Sequence, residues 1–173
     1  VSLFQNIIII MLLIAGAGFL SLSEIALAAA RKVKLKILAE SGEIRAQKVL
    51  DLQEQSADFF AASQIGLNAV AILGGILGEA AFRPFFVELI VQSYRGPWLE
   101  TIGFALSFTM VTSLFILFAD LMPKRLAMIA PEKIAVSAIE PVQIFIRICK
   151  PLSWGINAFA NVLFNLVSVN MVR

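Results

Sequence analysis

Three long apolar stretches, at about 3–30, 59–91 and 101–122, constrain this chain more than any other feature. An α-helix rises about 1.5 Å per residue, so roughly 20 apolar residues cross the hydrocarbon core of a bilayer. Each stretch reaches that length. The chain has 173 residues, of which 60% are apolar, and a mean hydropathy of +0.89, more than a soluble core of this size absorbs. Inside lipid every backbone polar group needs a partner within the protein, which an uninterrupted apolar run supplies by forming a helix. The expectation is one all-α membrane domain over residues 1–173, with three transmembrane helices plus cytoplasmic juxtamembrane amphipathic helices at about 131–172.

Charge sets the orientation. No basic segment precedes the first stretch, and Glu24, Arg31 and Lys32 follow it where a signal peptide would carry small residues, so it reads as a retained helix. Arg31, Lys32, Lys34, Lys36, Arg45 and Lys48 then crowd into a polar helical hairpin arm, cytoplasmic by the positive-inside rule. The second stretch holds Gly66, Gly74, Gly75, Gly78 and Pro84, which predicts one crossing followed by a short interfacial helix. Arg95, Gly96, Pro97 and Trp98 suit a periplasmic turn, and Lys124 with Arg125 returns the chain to the inner face. This puts the N-terminus in the periplasm and the C-terminus in the cytoplasm of a bacterial inner-membrane protein.

After Pro131, scattered charges at helical spacing, broken by Pro141 and Pro151, predict amphipathic helices on the inner leaflet. The run at 152–172 is apolar enough for a fourth span. Asn157, Asn161, Asn165 and Asn170 favour a belt helix instead. A chain that starts at Val1 and stops at Arg173 after a hydrophobic stretch is expected to be a piece of something longer.

The net charge of +2 gives no reason to expect a nucleic-acid partner, and the lack of His with only Cys149 removes zinc, iron–sulfur and disulfide chemistry. Chemistry therefore rests on polar residues inside the apolar spans. Asp120 is the strongest candidate, because a carboxylate in a membrane span is costly and a bound cation offsets the cost. Pro123 has no N–H and crowds the carbonyl four residues back, freeing the Ala119 oxygen beside that carboxylate. Carboxylate and carbonyl together suit a small cation or an ammonium group. The rival account pairs Asp120 with Lys124 as an ordinary helix pair.

Ser21 and Glu24 share a helix face, with Ser23 beside them, and can complete a polar pocket with Asp120; Ser21 and Ser23 alternatively bond backbone carbonyls, and Glu24 alternatively pairs with Arg31 or Lys32. Gln64 and Asn68 lie one turn apart, with Ser63 alongside and Gly66 as a point of close helix approach. They bind substrate or glue helices together. Glu79 either recruits cations or pairs with Arg83.

At these residues a resemblance emerges. Ser21-Leu22-Ser23-Glu24-Ile25-Ala26-Leu27, Gln64-Ile65-Gly66-Leu67-Asn68 and Asp120-Leu121-Met122-Pro123-Lys124 resemble, in the same order, the transmembrane domain of the CorC/CNNM family. The resemblance implies a homodimer of three-span domains with an inward-facing polar cavity, a belt of juxtamembrane helices, and nucleotide-binding cytoplasmic CBS domains beyond residue 173. Within the family, Gln64 to Gly75 and Leu114 to Glu132 are most similar to the polyamine export branch, which implies release of putrescine and cadaverine from the cytoplasm.

Magnesium-binding members carry a Ser/Thr and an Asn where this chain has Gln64 and Leu67, and Gly-Glu where it has Ala119-Asp120. Mg²⁺ needs near-ideal octahedral oxygen ligation, and a diamine needs only carboxylates, carbonyls and an apolar wall. The preferred substrate is therefore a polyamine, held by Asp120, Ala119, Ser21, Ser23, Glu24, Gln64 and Asn68 and supported by Pro123 and Gly66. The alternative is efflux of Mg²⁺ or another divalent cation, ligated by Asp120 and Ser23 and exchanged for Na⁺. No cofactor is expected within these residues; nucleotide belongs to the CBS domains. A second alternative is a membrane anchor or signalling domain that transports nothing. An enzyme is not expected, since no serine has an evident base and no His is present.

Overall fold

The computed structural model describes residues 3–166. It is all helix: α1 (Leu3–Ala29), α2 (Lys32–Glu40), α3 (Ile44–Glu54), α4 (Ser56–Val91), α5 (Leu99–Leu114), a π-helical segment (Phe115–Leu121), α6 (Met122–Ile129) and α7 (Pro131–Leu166). Among the described residues three helical runs are long and apolar enough to cross a membrane, Phe4–Ala29, Ser56–Val91 and Leu99–Ile129. The expected all-α membrane architecture is borne out.

The hairpin between the first two spans is made by local chemistry. Gly42 adopts φ +99°, Gly42 N–H donates to Ala39 O, and Glu43 N–H donates to Leu38 O. That is a Schellman end, which needs a left-handed residue and hence glycine. The Glu43 side chain then accepts from Arg45 N–H and caps α3. At the base of the hairpin, the Gln53 amide donates to both Leu27 O and Ala30 O, two carbonyls at the end of α1.

The well-packed core lies at this end of the molecule. Ala26, Leu27 and Ala30 of α1, Leu35 of α2, Ala46, Val49 and Leu50 of α3, Phe59, Ala127 and the α7 stripe Ala135, Ala138, Ile139 and Val142 form one buried cluster. The stripe repeats at helical spacing, so α7 presents a single apolar face. Two ion-pair groups fasten its first turns to the hairpin. Glu132 takes Arg31 (3.4 Å) and Lys34 (3.6 Å), and Glu140 takes Arg45 (3.3 Å) and Lys48 (3.6 Å). Burial pushes the Glu132 carboxyl upward, but its own and Arg31's backbone N–H groups, with the charges of Lys34 and Arg31, hold it below the usual glutamate range.

The membrane-length helices meet through small residues. A Cβ on Gly74 would fall 2.1 Å from the Phe115 ring, one on Gly78 2.4 Å from Val111, and one on Gly103 2.5 Å from Val87. Without an aqueous driving force, helices in lipid gain from such close approach. Large side chains such as Met11, Leu12, Ile72, Ile76, Phe108 and Phe118 point outward to where lipid lies.

Two expectations are corrected. The second stretch is not a crossing plus an interfacial helix: α4 is one 36-residue helix that continues through Pro84. Contacts with α5 at Gly78 and Val87 bracket that proline and hold both halves in line. Pro141 and Pro151 likewise do not divide the juxtamembrane region, and α7 runs as one 36-residue helix. Both prolines are exposed, where a tilt displaces no packed neighbour. The last part of the expected helix, 167–172, lies outside the described residues.

Candidate functional site

The third span does not stay α-helical where Asp120 sits. From Phe115 to Leu121 it widens into a π-helical turn, closed by Met122 N–H donating to Leu117 O, five residues back. Pro123 follows at the start of α6, where its missing N–H is least costly to the new helix. Gly18 of α1 packs on this segment: a Cβ there would lie 3.3 Å from Phe118 O and 3.3 Å from Pro123 Cγ. Pro123 is buried in that contact, and Ala119 is 5% exposed beside it. A π-turn shifts the side chains after it around the helix and recurs at functional sites.

This close approach brings Ser21, fully buried, to Asp120, and its Oγ donates to Asp120 Oδ1 at 3.0 Å. The Lys124 ammonium meets the same oxygen at 2.5 Å. Asp120 thus accepts a hydroxyl from one helix and an ammonium from its own. A cavity of about 330 Å³ opens beside it, edged by Gln64, Asn68, Ala119, Asp120 and Lys124, with Ala17, Leu67 and Phe115 among its apolar walls. Four charged or polar side chains and an apolar floor suit a small molecule with a cationic end.

Gln64 reaches past the cavity to Glu24, donating from Nε2 to Oε1 at 3.3 Å. The other carboxylate oxygen of Glu24 is buried without a hydrogen-bond partner, as is Ser63 Oγ on the facing helix. Glu24 pairs with neither Arg31 nor Lys32, the alternative raised from sequence; Arg31 is turned to Glu132 instead. Ser23 bonds the Phe19 carbonyl at 2.7 Å, inside its own helix, and does not edge the cavity. Gly66 lies on the other side of α4, against Phe145 and Leu20. Glu79 is ion-paired with Arg83, whose guanidinium lies 5.6 Å from the Phe104 ring centroid. Among the described residues no three His, Cys, Asp or Glu side chains group as metal ligands.

Sequence reasoning missed the π-turn, the Gly18 contact and the apolar walls at Ala17, Leu67 and Phe115. Gly18 in the first span, with a proline in the third, was the available signal. It also read Glu132 and Glu140 as scattered charges, because their partners stand about a hundred residues away.

A model of the cyclin M transmembrane N-terminal domain, CNNM, matches residues 8–173. The chain belongs to the CNNM family. Similar relatives include the polyamine export protein of Salmonella typhimurium, 53% identical, and that of Escherichia coli K12, 50% identical, each over 169 residues that cover 98% of this chain and 38% of the relative. The Haemophilus influenzae polyamine export protein is 42% identical over 172 residues, covering 99% of this chain and 40% of the relative. The chain therefore spans well under half the length of these CNNM relatives. Apolar helices of membrane length in a CNNM domain with such relatives make this a bacterial inner-membrane protein.

Proposed function

We propose that this domain carries the substrate path of an inner-membrane exporter for polyamines. The observation that carries the reading is Asp120: it already holds a primary alkylammonium, that of Lys124, with the Ser21 hydroxyl as second partner, at the edge of a cavity with apolar walls. An alkyl diammonium asks for the same contacts. The names of the relatives support it, since three of them from different bacteria are polyamine export proteins.

In this reading Asp120 and Ser21 seat one ammonium, Gln64, Asn68 and the Ala119 backbone face the chain of methylenes, and Glu24, with one buried oxygen unpartnered, adds a second negative charge one turn of α1 away. The hairpin and α7 face the cytoplasm, as the cluster Arg31, Lys32, Lys34 and Lys36 favours, and the N-terminus faces the periplasm. The domain works as a homodimer and as a transporter, not an enzyme. Nucleotide acts through CBS domains in the longer protein, on the same inner side.

The test is flux in liposomes containing the full-length protein, with labelled putrescine and with Mg²⁺, each beside Asp120→Asn. Putrescine flux that falls at least tenfold in the variant, while thermal unfolding stays close to wild type, is the expected result. Flux of Mg²⁺ alone moves the domain to the metal-exporting branch of the family, and folded protein that moves neither is an anchor.

A further inference from the structure

Lys124 is more than a helix neighbour of Asp120. Its side chain is a chain of methylenes ending in a primary ammonium, the chemical outline of one end of an alkyl diamine, and it occupies the oxygen that such an end would take. The pair is not sealed: the Lys124 side chain is 37% exposed and the Asp120 side chain 48%, and both edge the cavity. The two residues are one turn apart, so the ammonium can leave the carboxylate and return without any change in the backbone. Lys124 also lies on α6, the last part of the third span, from which a lysine can extend its head toward the interface while its methylenes stay in apolar surroundings.

An empty carboxylate within a membrane span is costly, and a substrate leaving it would have to climb that cost. We propose that Lys124 is the site's resident cation: it holds Asp120 when no substrate is bound, yields it to an incoming primary ammonium, and takes it back as the substrate departs. The inference rests on the proposed polyamine site and assigns how that site is kept neutral. Exchange of one ammonium for another leaves the charge at Asp120 unchanged at each step. Binding is weakened by the competitor, and release is helped by it.

This gives opposite expectations for two substitutions, read as putrescine flux by the full-length protein in liposomes. Lys124→Gln removes the competitor. Its half-saturating putrescine concentration should fall about two- to fivefold, the factor a part-exposed ion pair is worth, while maximal flux also falls because nothing returns to Asp120. Lys124→Arg places a guanidinium that forks onto the carboxylate, and its half-saturating concentration should rise by a similar factor. A lysine needed only for packing would lower maximal flux in both variants without splitting the half-saturating concentrations in opposite directions.

If Lys124→Gln does not fold, the Lys124→Arg direction alone decides: an unchanged or lower half-saturating concentration overturns the proposal. Should Asp120→Asn abolish flux while Lys124→Gln leaves half-saturation unchanged or raised, the exchange is wrong and the polyamine site stands. Wild-type flux in Asp120→Asn overturns both.

Discussion

The two ends of this domain are held together by different physics. At the end carrying the hairpin, Leu35, Val49 and Phe59 are fully buried and two glutamates on α7 each gather two basic residues from the hairpin. In the spans, the contacts are glycines and alanines set against single larger side chains, Gly74 on Phe115 and Gly78 on Val111, and most large side chains face outward. The site lies where the two regimes meet, on a π-turn tied to α1 by a glycine and a hydroxyl. The contrast teaches that stability and function are partly separable here. A volume change in the packed end should unfold the domain, and one beside the π-turn should spoil the site first.

The largest expected effect tests the packed end. Phe59→Ala empties a fully buried position in the cluster and should cost about 3–5 kcal/mol, read as a lower unfolding temperature of the purified protein in detergent. If stability barely moves, the hairpin end is not the dominant core.

A smaller effect sharpens the boundary between the regimes. Gly18→Val would press on the Phe118 carbonyl and on Pro123, so putrescine flux should drop severalfold with about 1–3 kcal/mol of stability lost to overpacking. Gly16→Val, a half-turn away, meets nothing within 4 Å and should change neither. Equal flux in the two variants would separate α1 from the Asp120 geometry.

The smallest effect is on pH. Glu132 has its carboxyl held below the ordinary value, so the stability it contributes is present above the unfolded value, roughly 4.3, and is lost as pH falls through the native one. Acid should therefore loosen the hairpin from α7, raising hydrogen exchange at Arg31 to Glu40, and Glu132→Gln should blunt that pH dependence. Exchange that rises equally in the variant would assign the acid response to other carboxylates.

The three spans were legible because lipid imposes a length that few other environments require, and the run from 3 to 29 is almost free of charge. Asp120 and Pro123 stood out as a polar residue and a helix breaker in an apolar run, and the cavity forms beside them. What failed was continuity. Pro84, Pro141 and Pro151 looked like breaks, yet whether a proline ends a helix depends on neighbours elsewhere in the chain, here Val111 against Gly78 and Gly103 against Val87 on either side of Pro84. The π-turn was invisible for the same reason, since its register is fixed by contact with Gly18, about a hundred residues earlier. Ser23 and Ser21 could not be told apart in the sequence either; only the rotation of α1 against that turn gives Asp120 to Ser21.

Gln53 gives the hairpin a mechanical meaning. One amide group closes the last turn of α1 through two carbonyls at 2.8 and 2.9 Å, in a place with little water to replace it. Pulling α3 away would leave both carbonyls bare, so the end of the first span travels with the hairpin as a single rigid piece. Ser21 stands about two turns up the same helix. A force applied to the basic hairpin is thus passed through Gln53 into α1 and along it to the hydroxyl that touches Asp120.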